Sequence, residues 1–374
     1  MTHSPRIVLD AIVAEGITSF FGVPDSTLNG FGHMILQPHE RITGAVCSNE
    51  GSAVAEAIGY FLATGRPACV YMQNSGLPNA LNPLSSLAHA DIFGVPMLLL
   101  IGWRGHPDYA DEPQHSVMGR ETISLLQSMD IPIHQMGQEG MREVTEAAQD
   151  AMSSHGPVAL LVPPKSIGSF AGVDQGAKHL GAEPGEFIDS VLKGASDDTF
   201  YFGATGFTSR LLMASAALGK VEGARVFPMV GGMGHTFAVA ARFALLRPEL
   251  PVVCFDGDGS VLMHTGSLAR ARDLMHTRFT YILLNNGAHQ SVGGHPTIAP
   301  KCDFGTLARV FGFSQVLKCS SPVELLQTSG EVQSQGSTFI QVVLEPDPAL
   351  KLPRPEKSPI QILRDFRAKV DDSG

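Results

Sequence analysis

The sequence predicts an α/β protein built as two parallel-sheet domains, and three observations carry that prediction. Short β-rich apolar runs alternate with stretches of helical period. The 374 residues suffice for two units of roughly 100–200 residues, each with its own core. The alternation stops once, after Pro163-Pro164, where Gly, Ala and polar residues carry little period, and then resumes. These signals give an N-terminal α/β domain over residues 1–167, a linker over 168–183 and a C-terminal α/β domain over 184–374.

The elements follow in order. Residues 6–15 read as a helix, with Ile7, Val8, Ala11 and Ile12 on one face and Gly16 as its stop. A strand over 18–21 runs into the turn Gly22-Val23-Pro24-Asp25-Ser26. Glu50 begins a second helix, because Ala53, Val54, Ala57, Ile58 and Phe61 recur at helical spacing. Residues 68–72, 97–101 and 158–162 are continuous apolar runs of the kind that form buried parallel strands. In the second half the strand candidates are 199–202, 225–228, 252–255, 281–284 and 339–344.

Composition narrows the function. Lys and Arg number 26 against 36 Asp and Glu, a net charge of −10, so nucleic acid is not expected as a partner. Charged residues make up 17%, below the usual ~25%, and 44% are apolar, which excludes a disordered chain. A small anionic substrate stays compatible, since local cations decide that. The first twenty residues lack a basic segment followed by an unbroken apolar core, and the most apolar stretch, 92–103, is shorter than the ~20 residues that cross a bilayer. Five cysteines without a CxxC pair read as reduced thiols, and 14 histidines without HxxxH spacing give zinc little support. A cytoplasmic protein without a membrane partner is expected.

The most informative stretch is 251–288. An apolar strand ends in Asp256-Gly257-Asp258-Gly259-Ser260; a helix follows with Leu268, Ala271, Leu274 and Met275 on one face; a second strand ends in Asn285-Asn286-Gly287-Ala288. A strand–helix–strand crossover brings Asp258 and Asn286 to the same carboxyl edge of a parallel sheet, where open α/β folds bind ligands. One carboxylate, one amide oxygen and glycine-rich backbone suit a hard divalent cation that holds phosphates. A nicotinamide-binding turn fits less well: Leu262 stands where the third glycine would be, and Asp258 would repel a bare pyrophosphate.

With these residues the sequence resembles the thiamine diphosphate-dependent decarboxylases, whose cofactor motif is GDG, roughly 25–30 residues, then NN. The resemblance implies that thiamine diphosphate and Mg²⁺ bind here. Asp258, the Asn286 side chain and the Ala288 carbonyl would ligate the metal, and Gly257, Gly259 and Ser260 would lie at the diphosphate. It also implies two α/β domains, one of pyrimidine-binding and one of diphosphate-binding type. In Gly231-Gly232-Met233-Gly234-His235, Met233 would wedge the cofactor into its bent form, and the Gly231 carbonyl would receive its amino group.

The family needs a carboxylate for N1′ of the aminopyrimidine. Taken alone, Glu50 reads as a group complementing a helix N-terminus. Beside GDG and NN, the resemblance assigns it the proton shared with N1′. Glu56 is expected to be solvated.

Further segments narrow the resemblance to the branch that decarboxylates 3-phosphonopyruvate. They are Gly22 to Ser26, Asn74-Ser75-Gly76-Leu77, Asn79-x-x-Asn82-Pro83-Leu84, Leu100 to Gly105, Asp111 to His115, and Leu352-Pro353-Arg354-Pro355. The implied activity is a carbon–carbon lyase giving phosphonoacetaldehyde and CO₂ within phosphonate biosynthesis; a sulfopyruvate decarboxylase or a carboligase with the same cofactor is the alternative. Asp25, Ser26 and His115 would line the reacting face, although His115 also reads as an ordinary surface histidine. Arg104, His289 and His295 would supply cationic or N–H donors to the phosphonate. Pro78 and His295 depart from the pattern, with glycine and glutamine expected there. The family further implies a homodimer or larger oligomer with each site shared between subunits.

Overall fold

The computed structural model describes residues 2–137, 140–170, 182–331, 336–346, 352 and 357–373. It divides into two compact units, Met1–Asp174 and Gln175–Gly374. Most of the expected linker, residues 171–181, and residues 353–355 of the quoted tail motif lie outside the described residues.

The first unit holds β1 (Ser19–Gly22), β2 (Thr43–Val46), β3 (Ala68–Gln73), β4 (Met97–Gly102), β5 (Ile133–Gln135) and β6 (Pro157–Val162). They form one parallel sheet in the order β2-β1-β3-β4-β6-β5. Alternate side chains leave opposite faces of a strand, and both faces here are covered. Leu98 and Leu100 join one core with Val8, Ile12 and Ala147, while Met97, Leu99 and Ile101 join the other with Ala53, Val54 and Ala57. Burial on both sides explains why β3, β4 and β6 read as unbroken apolar runs. Truncating one such side chain, as in Leu100→Ala, costs about 2–5 kcal/mol.

The second unit holds β7 (Phe200–Gly203), β8 (Val226–Pro228), β9 (Pro251–Gly257), β10 (Arg278–Asn285), the short antiparallel ribbon β11 (Ala288–His289) with β12 (His295–Pro296), then β13 (Gln315–Cys319) and β14 (Gly336–Val343). Its main sheet is parallel, in the order β13-β14-β10-β9-β7-β8. Counted from the start of each unit, leaving out the ribbon, both sheets read 2-1-3-4-6-5. The second half therefore repeats the topology of the first without a visible sequence repeat. In each sheet the strand order reverses beside the unit's first strand, which opens a crevice at the carboxyl edge between β1 and β3, and between β7 and β9.

Besides the two short ribbon strands, three strands of the main sheets escape the sequence reading, β2, β5 and β13. All three are edge strands whose side chains, Cys319 apart, are half-exposed or exposed, so they carry no apolar run. The expected helix after the GDG motif is corrected. A short α-helix, Asp258–Met263, gives way to a 3₁₀ stretch, Thr265–Leu274. Leu268, Ala271 and Leu274 are buried at intervals of three, the period of a 3₁₀ helix, whereas Met275 is 56% exposed. The helix Glu50–Thr64 forms as expected: the Asn49 side chain caps it by accepting from the Ser52 N–H at 2.8 Å, and Gly65 ends it in the left-handed region.

Candidate active site

In the second unit, residues following β7, β9 and β10 line one cavity of about 90 Å³ at the carboxyl edge of the sheet. Gly257, Asp258, Gly259 and Ser260 enter from the end of β9, Asn286, Ala288 and His289 from the end of β10, and Met233 from the glycine-rich loop after β8. The structure thus brings Asp258 and Asn286 together as the crossover argument requires. Asp258 is buried, and burial raises its carboxyl above the ordinary range, opposed by hydrogen bonds from Thr297 and nearby backbone. The Asn286 amide is oriented from both ends: its Oδ1 accepts from the Ala288 N–H at 3.0 Å, and its Nδ2 donates to Gln290 Oε1 at 2.8 Å.

A lattice of polar contacts holds this edge in shape. The Ser260 hydroxyl accepts from the Gly234 N–H at 3.0 Å, tying the Met233 loop to the first turn after β9. It also bonds Asp256, whose Oδ1 takes the Gly257 N–H at 2.9 Å and whose Oδ2 takes the Tyr281 hydroxyl at 2.8 Å. Burial pushes the Asp256 carboxyl up to about 6 despite these donors. Gly259 is needed for space, since a Cβ there would stand 2.6 Å from His289 Cε1 and 3.4 Å from Met233 Cε. Gly231 belongs to the same half-buried loop.

Among the described residues, no three His, Cys, Asp or Glu side chains gather as a metal-holding group. A cation at this edge would draw on one carboxylate, an amide oxygen, a carbonyl and the phosphates of its ligand. That donor set is the pattern of Mg²⁺ and fits a metal–diphosphate group.

In the first unit, Glu50 occupies the first turn of its helix and is 4% exposed. Burial raises its carboxyl pKa, and the Asn79 amide, donating to Oε2 at 2.8 Å, pulls it back. Glu56 is exposed, as expected for the carboxylate without a role.

Asp25, Ser26 and Arg104 meet at the ends of β1 and β4. Asp25 is 1% exposed; its Oδ2 accepts from the Leu28 N–H at 3.2 Å, and its buried Oδ1 has no hydrogen-bond partner among the described residues. Burial pushes this carboxyl up to about 6, against backbone hydrogen bonds and the Arg104 charge. Arg104 donates to Ser26 Oγ through Nη1 at 2.8 Å and grips Asp111 through Nε, at 2.7 Å, and Nη2. Burial works against ionisation of Asp111, but the Arg104 contacts and two backbone N–H groups hold it well below the usual carboxylate range. Asn74, fully buried, clips β3 to β4 by accepting from the Arg104 N–H and donating to the Arg104 carbonyl. His115 lies beside this cluster, with its carbonyl packed on Gly105. At 9% exposure it is a buried histidine, which corrects the surface reading.

Two of the expected phosphonate donors sit otherwise than foreseen. His295 is completely buried within the ribbon. His289 lines the cavity, and desolvation lowers its pKa to about 4, so near neutral pH it can donate an N–H but carries no charge. Sequence reasoning gave no role to Asp256, Thr297, Gln290 or Asn79. Gln290, four residues after Asn286, and Asp256, two before Asp258, stood in plain view beside the motif; Thr297 carried no signal at all.

Comparison with known proteins gives the family. Residues 4–125 match the family described as thiamine pyrophosphate enzyme, N-terminal TPP binding domain, and residues 211–342 match its C-terminal TPP binding domain. A phosphonopyruvate decarboxylase of Streptomyces viridochromogenes is 32% identical, with 95% of this chain and 92% of the relative covered. One from Streptomyces hygroscopicus is 30% identical over 96% and 92%. A sulfopyruvate decarboxylase of Methanosarcina acetivorans is 25% identical over 87% of each.

Proposed function

The chain belongs to the thiamine pyrophosphate enzyme family, and from that premise we propose that it decarboxylates 3-phosphonopyruvate to phosphonoacetaldehyde and CO₂, using thiamine pyrophosphate (thiamine diphosphate) and Mg²⁺. The observation that carries the reading is the cavity lined by Asp258 and Asn286, whose donors suit a metal–diphosphate group, in a chain 30–32% identical to phosphonopyruvate decarboxylases over about 95% of its length.

Decarboxylation breaks the C1–C2 bond and leaves an electron pair on a carbon next to a carbonyl, which needs an electron sink. Thiamine pyrophosphate, when bound, supplies that sink through its thiazolium ring. The chain's own residues bind, orient and move protons. Asp258, Asn286 and the Ala288 carbonyl would hold the metal, and Gly257, Gly259 and the Ser260 backbone would lie against the diphosphate. Met233 and the Gly231 carbonyl would set the cofactor's bend. Glu50 would hold the proton shared with N1′. Asp25 and His115 would return a proton to the carbon that loses CO₂, and a carboxyl near 6, as burial gives Asp25, suits that task close to neutral pH. Ser26, oriented by Arg104, would hydrogen-bond the substrate, with Arg104 and His289 as the donors assigned to the phosphonate; His295, completely buried, is not among them.

Offering 3-phosphonopyruvate, sulfopyruvate and pyruvate separately, and identifying the aldehyde formed, tests the substrate. Phosphonoacetaldehyde as the preferred product supports the reading; a preference for sulfopyruvate moves the chain to its other group of relatives.

The same reading includes a cytoplasmic homo-oligomer whose sites are shared between subunits. Among the described residues no helix is long and apolar enough to cross a membrane. Mixing inactive Glu50→Gln with inactive Asp258→Ala protein tests the sharing. In a dimer with random exchange half the molecules are mixed and carry one intact site, so about a quarter of the activity returns. No recovery despite proven exchange would mean that each site comes from a single chain.

A further inference from the structure

We propose that Asn79 is the positioning residue of Glu50, holding one carboxylate oxygen so that the proton travels on the other. The inference rests on the reading of Glu50 as the proton-sharing carboxylate, and it adds a residue to which neither the motif nor the family comparison gives a role.

Three close approaches carry it. Asn79 Nδ2 donates to Glu50 Oε2 at 2.8 Å, across 29 residues of sequence. Gly76, one turn before Asn79, leaves room for the other oxygen: a Cβ there would stand 2.1 Å from Oε1. Gly51 lets the two helices meet, since its Cβ would lie 2.8 Å from the Asn79 carbonyl oxygen. Gly51 and Gly76 thus admit the approach, and the amide of Asn79 closes it.

The chemistry follows from that geometry. A buried carboxylate has lost water and is costly to ionise unless a donor replaces it. Asn79 is that donor among the described side chains, and it works against the effect of burial on Glu50. An amide N–H is a donor only, so Oε2 is committed as an acceptor and the proton is carried on Oε1, over the bare Gly76. The hydrogen bond also fixes the carboxylate plane, which an otherwise free side chain would lose to rotation. Asn79 itself lies on the exposed side of its short helix, Leu77–Pro83, so changing it removes the donor without opening a core.

The test compares Asn79→Ala with the isosteric Asn79→Asp, which keeps the shape and replaces the donor by an acceptor. In the holoenzyme both should lower kcat about tenfold with KM within about twofold, and both should move the acidic limb of the kcat profile to higher pH. In the full-length protein before cofactor is added, an infrared pH titration, with Glu50→Gln as the blank, should show the Glu50 carboxyl keeping its proton to higher pH in both variants. An Asn79→Asp protein with the original rate and titration would show that only volume matters at this position and overturns the proposal, as does an unchanged carboxyl titration in both. If Glu50→Gln itself turns over normally, it is the role of Glu50 that has failed. The infrared titration still decides, on its own, whether Asn79 governs that carboxylate.

Discussion

Thr297 donates its hydroxyl to Oδ2 of Asp258, tying the segment after the ribbon to the carboxylate at the end of β9. Thr297 is itself fixed, with its N–H on the Gly287 carbonyl at 2.9 Å and its oxygen accepting from the Ala299 N–H at 3.2 Å. A ligand held in one plane by such a partner binds metal more tightly than one free to rotate, and losing the partner typically costs about 10–100-fold in affinity. Thr297→Val should therefore weaken Mg²⁺-dependent binding of thiamine diphosphate by about tenfold or more, with kcat at saturating cofactor little changed, while Thr297→Ser keeps both. Calorimetric titration reads the effect. An unchanged Kd in the valine variant would remove Thr297 from the site.

Glu50→Gln isolates the proton from the shape. The carboxamide fills the same buried position and still meets Asn79, so the helix Glu50–Thr64 should keep its place and the far-ultraviolet circular dichroism its form. What it cannot do is take up and give back a proton, and losing such a group costs about 10²–10⁴-fold in kcat. Turnover within a few-fold of the unaltered protein would transfer the role to another carboxylate.

The parts of this molecule legible in its sequence are those where one physical demand acts alone. β4 had to be apolar on both faces, and Asp258 and Asn286 had to follow strands joined by one crossover, so both were readable. β2, β5 and β13 were not, because an edge strand needs burial on few positions and its residues look like loop. The 3₁₀ stretch Thr265–Leu274 hid for a different reason: Leu268, Ala271 and Leu274 satisfy a period of three and nearly satisfy 3.6. The lost site residues are partners rather than actors. Nothing local marks Thr297, and the segment that includes Asn79 says nothing of its role, since their meaning lies in what they meet 39 and 29 positions away. Charge was the least legible quantity, because burial decides that His289 is neutral and that Asp25 keeps its proton to about pH 6.

Gly259→Ala should separate space from chemistry at the diphosphate edge. The added methyl meets His289 Cε1 at 2.6 Å and Met233 Cε at 3.4 Å, so the ring has to move into the cavity or the turn has to open. Overpacking of this kind costs about 1–3 kcal/mol. The larger consequence should be loss of cofactor affinity, because the displaced ring occupies space that the ligand needs. Denaturant unfolding and cofactor titration on the same preparation read the two effects. Full cofactor affinity in the alanine variant would place the diphosphate away from Gly259.

Asp25 gives a pH dependence whose sign can be worked out. Its carboxyl sits at about 6 in the fold, against 3.8 ordinarily, chiefly through burial. The folded state therefore holds this proton more tightly than the unfolded chain. The group's full contribution to stability is present below about pH 4, where both states are protonated, and it is lost as the pH rises through about 6. The difference corresponds to about 3 kcal/mol above that range. Asn cannot ionise, so Asp25→Asn should unfold at a higher denaturant concentration than the unaltered protein at pH 8, by up to about 3 kcal/mol, and the two should converge toward pH 4. The amide should at the same time lower kcat, a trade of function against stability expected of a carboxyl kept buried for its chemistry. If the asparagine variant were instead less stable at pH 8, the folded pKa of Asp25 would have to lie below its ordinary 3.8, with Arg104 outweighing its burial.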